Sequence, residues 1–172
     1  STDRALEYFE DALLLELDRA GFERGRWELS DFCERWGRDG EAADVLSGYL
    51  AERHYVEGEH VVREGETSRS MFLVVQGAAE VVVSVPGERR QRRLSSIAHG
   101  TLFGELALLD GLPRTAGVVA VEPLECLELS GGAFERLQAE RPEMAARLLV
   151  GVGRILGTRL RDANDLILEL DR

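Results

Sequence analysis

Lysine is absent from this 172-residue chain, so all 21 cations are arginines. We read this as a coding bias rather than a functional signal. Cysteine is scarce. Cys33 and Cys126 stand alone, without metal or redox spacing, and read as reduced, partly buried thiols. That usage fits a cytoplasmic protein. The three histidines, His54, His60 and His99, form no His-x-His pair with a nearby carboxylate, so no metal centre is expected. They read as surface or turn residues. Gly-x-Ser-x-Gly, His-Glu-x-x-His and P-loop patterns are missing. Together these absences argue against an enzyme. No run reaches the ~18 apolar residues of a membrane span, and no signal peptide opens the chain. A soluble piece is expected, although such a piece can belong to a larger membrane protein.

What is abundant is acid. The net charge is −11, and residues 1–60 hold 16 Asp/Glu against 7 Arg, a balance of −9 that leaves −2 for residues 61–172. This argues against nucleic acid or an anionic membrane surface as partner. A small anionic ligand is not excluded, because its site is local.

The hydrophobic spacing changes twice. Residues 3–20 predict a helix, with Leu6, Phe9, Leu13, Leu14 and Leu17 at three- and four-residue steps. Residues 28–36 and 41–53 predict two more. From His54 the pattern becomes short β-prone runs separated by glycine turns. These are 60–63, 71–76, 79–85, 94–98, 115–121 and 124–129. The arginine-rich run 89–93 falls at a hairpin tip. Beyond Ser130 the helical period returns, with a short helix stopping near Pro142 and a long one to the end. Gly151, Gly153 and Gly157 fall inside the long one and predict a kink or a close helix contact. The expected fold is α+β: a small antiparallel β-barrel or jelly roll flanked by N- and C-terminal helices. The segments are a helical 1–41, a barrel with its leading helix at 42–130, and C-terminal helices at 131–172.

The chemistry concentrates in residues 103–116, Phe-Gly-Glu-Leu-Ala-Leu-Leu-Asp-Gly-Leu-Pro-Arg-Thr-Ala. Gly104 permits close backbone approach to a ligand. Leu106 to Leu109 read as one helical turn, whose first N–H groups lack partners inside it. Arg114 supplies a planar fork of donors suited to phosphate oxygens. Glu105, a pure acceptor when ionised, suits a sugar hydroxyl better than a phosphate. A plain tight connection between strands, with Glu105 and Arg114 solvated or paired together, is the bland alternative.

This run resembles the phosphate-binding cassette of cyclic-nucleotide-binding domains, Phe-Gly-Glu-aliphatic-Ala-Leu followed by Pro-Arg-small-Ala-x-Val-x-Ala. Residues 103–108 and 113–120 match at every position the family uses. Glu57-Gly58-Glu59 and Glu64-Gly65-Glu66 resemble the family's opening hairpin, and Met71 to Gly77 its second hairpin, with Gly77 at the tight turn. The resemblance covers about 42–170 and implies a cupin-like double-stranded β-helix that binds cAMP, or cGMP, without metal.

By that likeness, Gly104, Leu106 and Ala107 offer N–H groups to the cyclic phosphate and Arg114 neutralises it. Glu105 accepts from the ribose 2′-hydroxyl, and Thr115 meets a phosphate oxygen or a syn guanine. Val81 and Leu94 face the purine or ribose, or else only pack the core. The C-terminal helices act as a lid or a dimer helix, with Arg159, Leu166 and Ile167 as lid candidates.

Residues 3–14 also resemble the last helix of STAS domains in bacterial SulP-type anion transporters. This implies tethering to a transporter at the cytoplasmic side of the inner membrane. Two rivals remain: a fold of this type that holds partners without binding a nucleotide, and the sensor half of a transcription regulator.

Overall fold

The computed structural model describes residues 25–35, 40–87 and 89–170. The predicted helix at 3–20, the STAS-like residues 3–14 and Trp36 lie outside them. In chain order the elements are α1 (Leu29–Arg35), α2 (Gly40–Ser47), β1 (Ala51–Tyr55), β2 (His60–Val62), β3 (Ser70–Gln76), β4 (Ala78–Val83), β5 (Arg92–Ala98), β6 (Leu102–Phe103), α3 (Glu105–Asp110), β7 (Gly117–Ala120), β8 (Leu124–Ser130), α4 (Gly131–Glu140) and α5 (Pro142–Leu170).

The strands form two antiparallel four-stranded sheets, ordered β1-β8-β3-β6 and β2-β7-β4-β5. They make the expected roll with flanking helices. β3 shows why one strand reads as an unbroken apolar run: it is buried on both faces. Phe72 and Val74 join Val62, Ile97, Phe103, Val118 and Leu124 in a core between the sheets. Met71 and Leu73 point the other way, into a second core with Phe32, Leu46, Leu108, Phe134, Leu137 and Leu148. The period-two alternation of a strand therefore ties the roll to its helices. Gly77 follows β3 with φ 88°, and a Cβ there would lie 2.2 Å from the Pro123 carbonyl oxygen.

The predicted helix at 41–53 ends at Ser47. Residues 51–53, the end of that predicted helix, instead open β1, which pairs with β8. Long-range pairing overrides local propensity here. Arg53 reaches Glu128 on β8 at 2.5 Å, a diagonal cross-strand ion pair. The arginine run also divides: Arg92 and Arg93 sit in β5 opposite Val83 and Val82, leaving Arg89 and Arg90 in the connection. α5 runs helical through all three glycines. Gly153 faces open space. No helix among the described residues is long and apolar enough to cross a membrane. Both cysteines are buried, and burial pushes the Cys126 thiol up to about 12.

Candidate functional site

The site is built where β6 hands over to α3. Phe103 of β6 stacks on Phe72 of β3, with ring centroids 5.0 Å apart and 14° between planes, which fixes the end of β6 on the sheet. The next residue, Gly104, has φ 81°. A Cβ on it would lie 2.7 Å from both Arg114 Nη1 and the Ser70 carbonyl oxygen. Only glycine lets the backbone pass this close to the arginine. α3 then opens at Glu105, and the N–H groups of its first turn have no partner within the helix.

Arg114 arrives from the loop before β7 and is 6% exposed. Its backbone is pinned on both sides: its N–H donates to the Glu66 carbonyl at 2.8 Å, and its carbonyl accepts from Gly65 N–H at 2.8 Å. Its guanidinium donates to the Ser70 carbonyl (2.7 Å) and the Gly104 carbonyl (3.1 Å). Nε is buried without a hydrogen-bond partner. Among the described residues no carboxylate forms an ion pair with it. Burial pushes the guanidinium below the usual arginine range, while the fields of Glu66, Glu105 and Glu128 push it back up. The result is a nearly buried cation, oriented by two neutral carbonyls and with donors to spare. A buried charge without a counter-ion is costly, and a bound anion would offset that cost.

Glu105 is 5% exposed. Its Oε1 accepts from Arg159 Nη1 at 2.9 Å, and Arg159 Nη2 donates to the Leu102 carbonyl at 2.6 Å. Arg159 belongs to α5, so the C-terminal helix touches the site through this pair. Among the described residues Glu105 Oε2 accepts no hydrogen bond, leaving that oxygen for a hydroxyl.

These groups border a cavity of about 220 Å³. Gly104, Glu105, Leu106, Ala107, Arg114 and Thr115 line its polar side, with Arg159 at the edge. Val62, Val81, Ile97, Phe103 and Val118 line the apolar side. Seven of the eight residues singled out in the sequence therefore meet around one space. Thr115 and Leu106 are exposed and Val81 is half-buried. Leu94 does not join them. The β4–β5 register shifts between Val81, opposite Ser95, and Val82, opposite Arg93, which leaves Leu94 unpaired in a bulge. Ile97 provides the β5 side chain in the lining instead. Asp110 and Leu112 also reach the rim. Of the lid candidates, Arg159 contacts the site and Ile167 is exposed. The side chain of Leu166 lies outside the described ones.

The model of the cyclic nucleotide-binding domain family matches residues 52–141. The chain belongs to this family. The cyclic nucleotide-binding domain here is 33% identical over 131 residues to the "Cyclic AMP receptor protein" of Thermus thermophilus, covering 76% of this chain and 57% of that protein. It is 36% identical over 92 residues to a "cAMP-dependent protein kinase regulatory subunit" of Mucor circinelloides, covering 54% of this chain and 21% of that one. Among solved structures it superposes on a cyclic nucleotide-binding domain from Methylobacillus flagellatus. That match has a TM-score of 0.73 and 24% identity, over 82% of this chain and 83% of that one. The domain thus spans little more than half of the Thermus relative and about a fifth of the fungal one. The family is regulatory rather than catalytic.

Proposed function

We propose that this domain binds a cyclic nucleotide, cAMP in preference to cGMP, and is not itself an enzyme. The observation that carries the reading is Arg114: a buried guanidinium with a free Nε, no ion pair among the described residues and a place on the cavity wall. In this reading Arg114 neutralises the cyclic phosphate, and the N–H groups of Gly104, Leu106 and Ala107 help to hold it. Glu105 Oε2 accepts from the ribose hydroxyl while Oε1 stays with Arg159. Val81 and Ile97 pack on the ligand's apolar surface, and Thr115 stands at the rim by the base. The cavity is smaller than the ~300 Å³ at the lower end of usual ligand clefts, so the ligand's outer edge would lie against the rim.

Regulation follows from the Glu105–Arg159 contact. A ligand that engages Glu105 acts on α5 directly, and it moves α4 and α5 only if it prefers one of their positions. The regulated unit is an attached or partner protein. A membrane anion transporter is supported by residues 3–14 alone. A transcription regulator is supported by the likeness to a "CRP-like cAMP-activated global transcriptional regulator" of Mycobacterium tuberculosis. A second copy is a fitting partner for the outer face of α5, where Val150, Leu160 and Ile167 are exposed beside the open Gly153.

A thermal melt with cAMP, cGMP and 5′-AMP tests the binding reading. At a ligand concentration of 100 Kd the fold gains about 2.7 kcal/mol, so the cyclic nucleotides should raise Tm by several degrees. No shift with either, or an equal shift with 5′-AMP, would sink it.

A further inference from the structure

Arg69 lies just before β3, outside the cavity, and nothing in the cassette pattern marks it. Its backbone carbonyl accepts from the N–H of Gly131, the first residue of α4, at 2.6 Å. A Cβ on Gly131 would lie 3.1 Å from Arg69 Cβ and 3.2 Å from Arg69 O, so α4 begins pressed against this residue. The side chain then crosses to α3. Nη2 donates to the Leu108 carbonyl at 3.2 Å, and the stem passes 3.8 Å from where a Cβ on Gly111, the α3 C-cap, would stand. Nη1 pairs with Glu135 Oε1 of α4 at 3.1 Å. One guanidinium therefore touches two helices: the cassette helix, by its last turn, and the first C-terminal helix.

We propose that Arg69 is a positioning residue that ties the end of α3 to the start of α4, so that displacement of the cassette helix is passed to the C-terminal helices. This rests on the reading of the cavity as a cyclic-nucleotide site. It adds a second route beside the Glu105–Arg159 contact, and the two leave α3 from opposite ends. The planar fork matters, because it reaches two acceptors in fixed directions, whereas an ammonium group has no such fork. The pair with Glu135 is exposed on both sides, at 42% and 64%. Its contribution to stability is therefore small and local, and its value is mainly directional.

The test is hydrogen exchange of the whole chain, with and without cAMP, on wild type, Arg69→Met and Glu135→Ala, with cAMP affinity measured in parallel. Without ligand, Arg69→Met should loosen the amides of 108–112 and of 131–137 together, by roughly two- to fivefold. Glu135→Ala should loosen only 131–137. Restoring the acceptor as Glu135→Gln should return protection toward wild type. With cAMP, the ligand-induced change at 131–137 should shrink in Arg69→Met while Kd moves by less than about fivefold. Unchanged protection of 108–112 in ligand-free Arg69→Met overturns the tie. A full ligand-induced change at 131–137 in that variant overturns the transmission. If wild type shows no response to cAMP, the nucleotide reading fails, and the ligand-free comparison still decides the tie.

Discussion

Gly104 and Arg114 stand ten residues apart in sequence and in contact in space. The glycine carbonyl accepts from Arg114 Nη1 at 3.1 Å, and the glycine's missing Cβ would sit 2.7 Å from that same nitrogen. Gly104→Ala must either displace the guanidinium or move the backbone, at a residue whose φ is already 81°. It should cost about 1–3 kcal/mol of stability and weaken cyclic-nucleotide binding in the same variant. Denaturant melts together with a binding titration check both. Wild-type affinity in Gly104→Ala would mean that the arginine does not need this cradle.

The Arg114 cation is held by carbonyls, not by a carboxylate, so its removal should separate folding from binding. Breaking a buried pair is expensive because one charge is orphaned, but no partner charge is orphaned here. Arg114→Met should therefore leave ligand-free stability within about 1 kcal/mol of wild type, as read from urea midpoints. A much larger loss would give Arg114 a mainly structural role.

Glu105 and Arg159 form the opposite case. The Glu105 side chain is only 6% exposed and that of Arg159 27%. Arg159→Ala leaves a buried carboxylate without its cation, so it should destabilise the domain by about 1–3 kcal/mol. In a double-mutant cycle with Glu105→Ala the two losses should fall short of additivity by about 0.5–3 kcal/mol. Additive losses would mean that the contact carries no coupling between α5 and the cassette.

The cassette was legible in the sequence because its parts lie within fourteen residues and a local turn brings them together. β3 was legible because burial on both faces leaves an unbroken apolar run. What escaped were relations across distance. Residues 51–53 read as the end of a helix and become strand by pairing with β8, some seventy residues on. Leu94 falls outside the lining because it lies an odd number of residues from Ile97, and side chains alternate across a strand. The family resemblance points to Arg159 as a lid residue, but its pairing with Glu105 across 54 residues, like that of Arg69 with Glu135 across 66, cannot be picked from periodicity.

Alkaline pH offers a check on the core between the sheets. Burial raises the Cys126 thiol from 9.0 to about 12. A raised folded value means that the unfolded chain loses this proton first, so stability is full below about pH 9 and falls as pH rises toward 12. Tyr55 is also pushed up to about 12, by burial first and then by nearby Cys126 and Glu128, and adds a loss above pH 10. Cys126→Ala should flatten the decline between pH 9 and 10, as followed by urea melts at stepped pH. An equal slope in the variant would place the thiol in contact with water.

The most direct measurement is titration calorimetry with cAMP and with cGMP on wild type and on Arg114→Ala. Removing the charged partner of a buried phosphate costs roughly 2–5 kcal/mol, or about 30- to several-thousand-fold in affinity. The expected result is binding in wild type, tighter for cAMP, that collapses by such a factor in the variant while the fold survives. Absence of heat in wild type at concentrations that report micromolar binding, or equal affinity in the variant, would contradict the account.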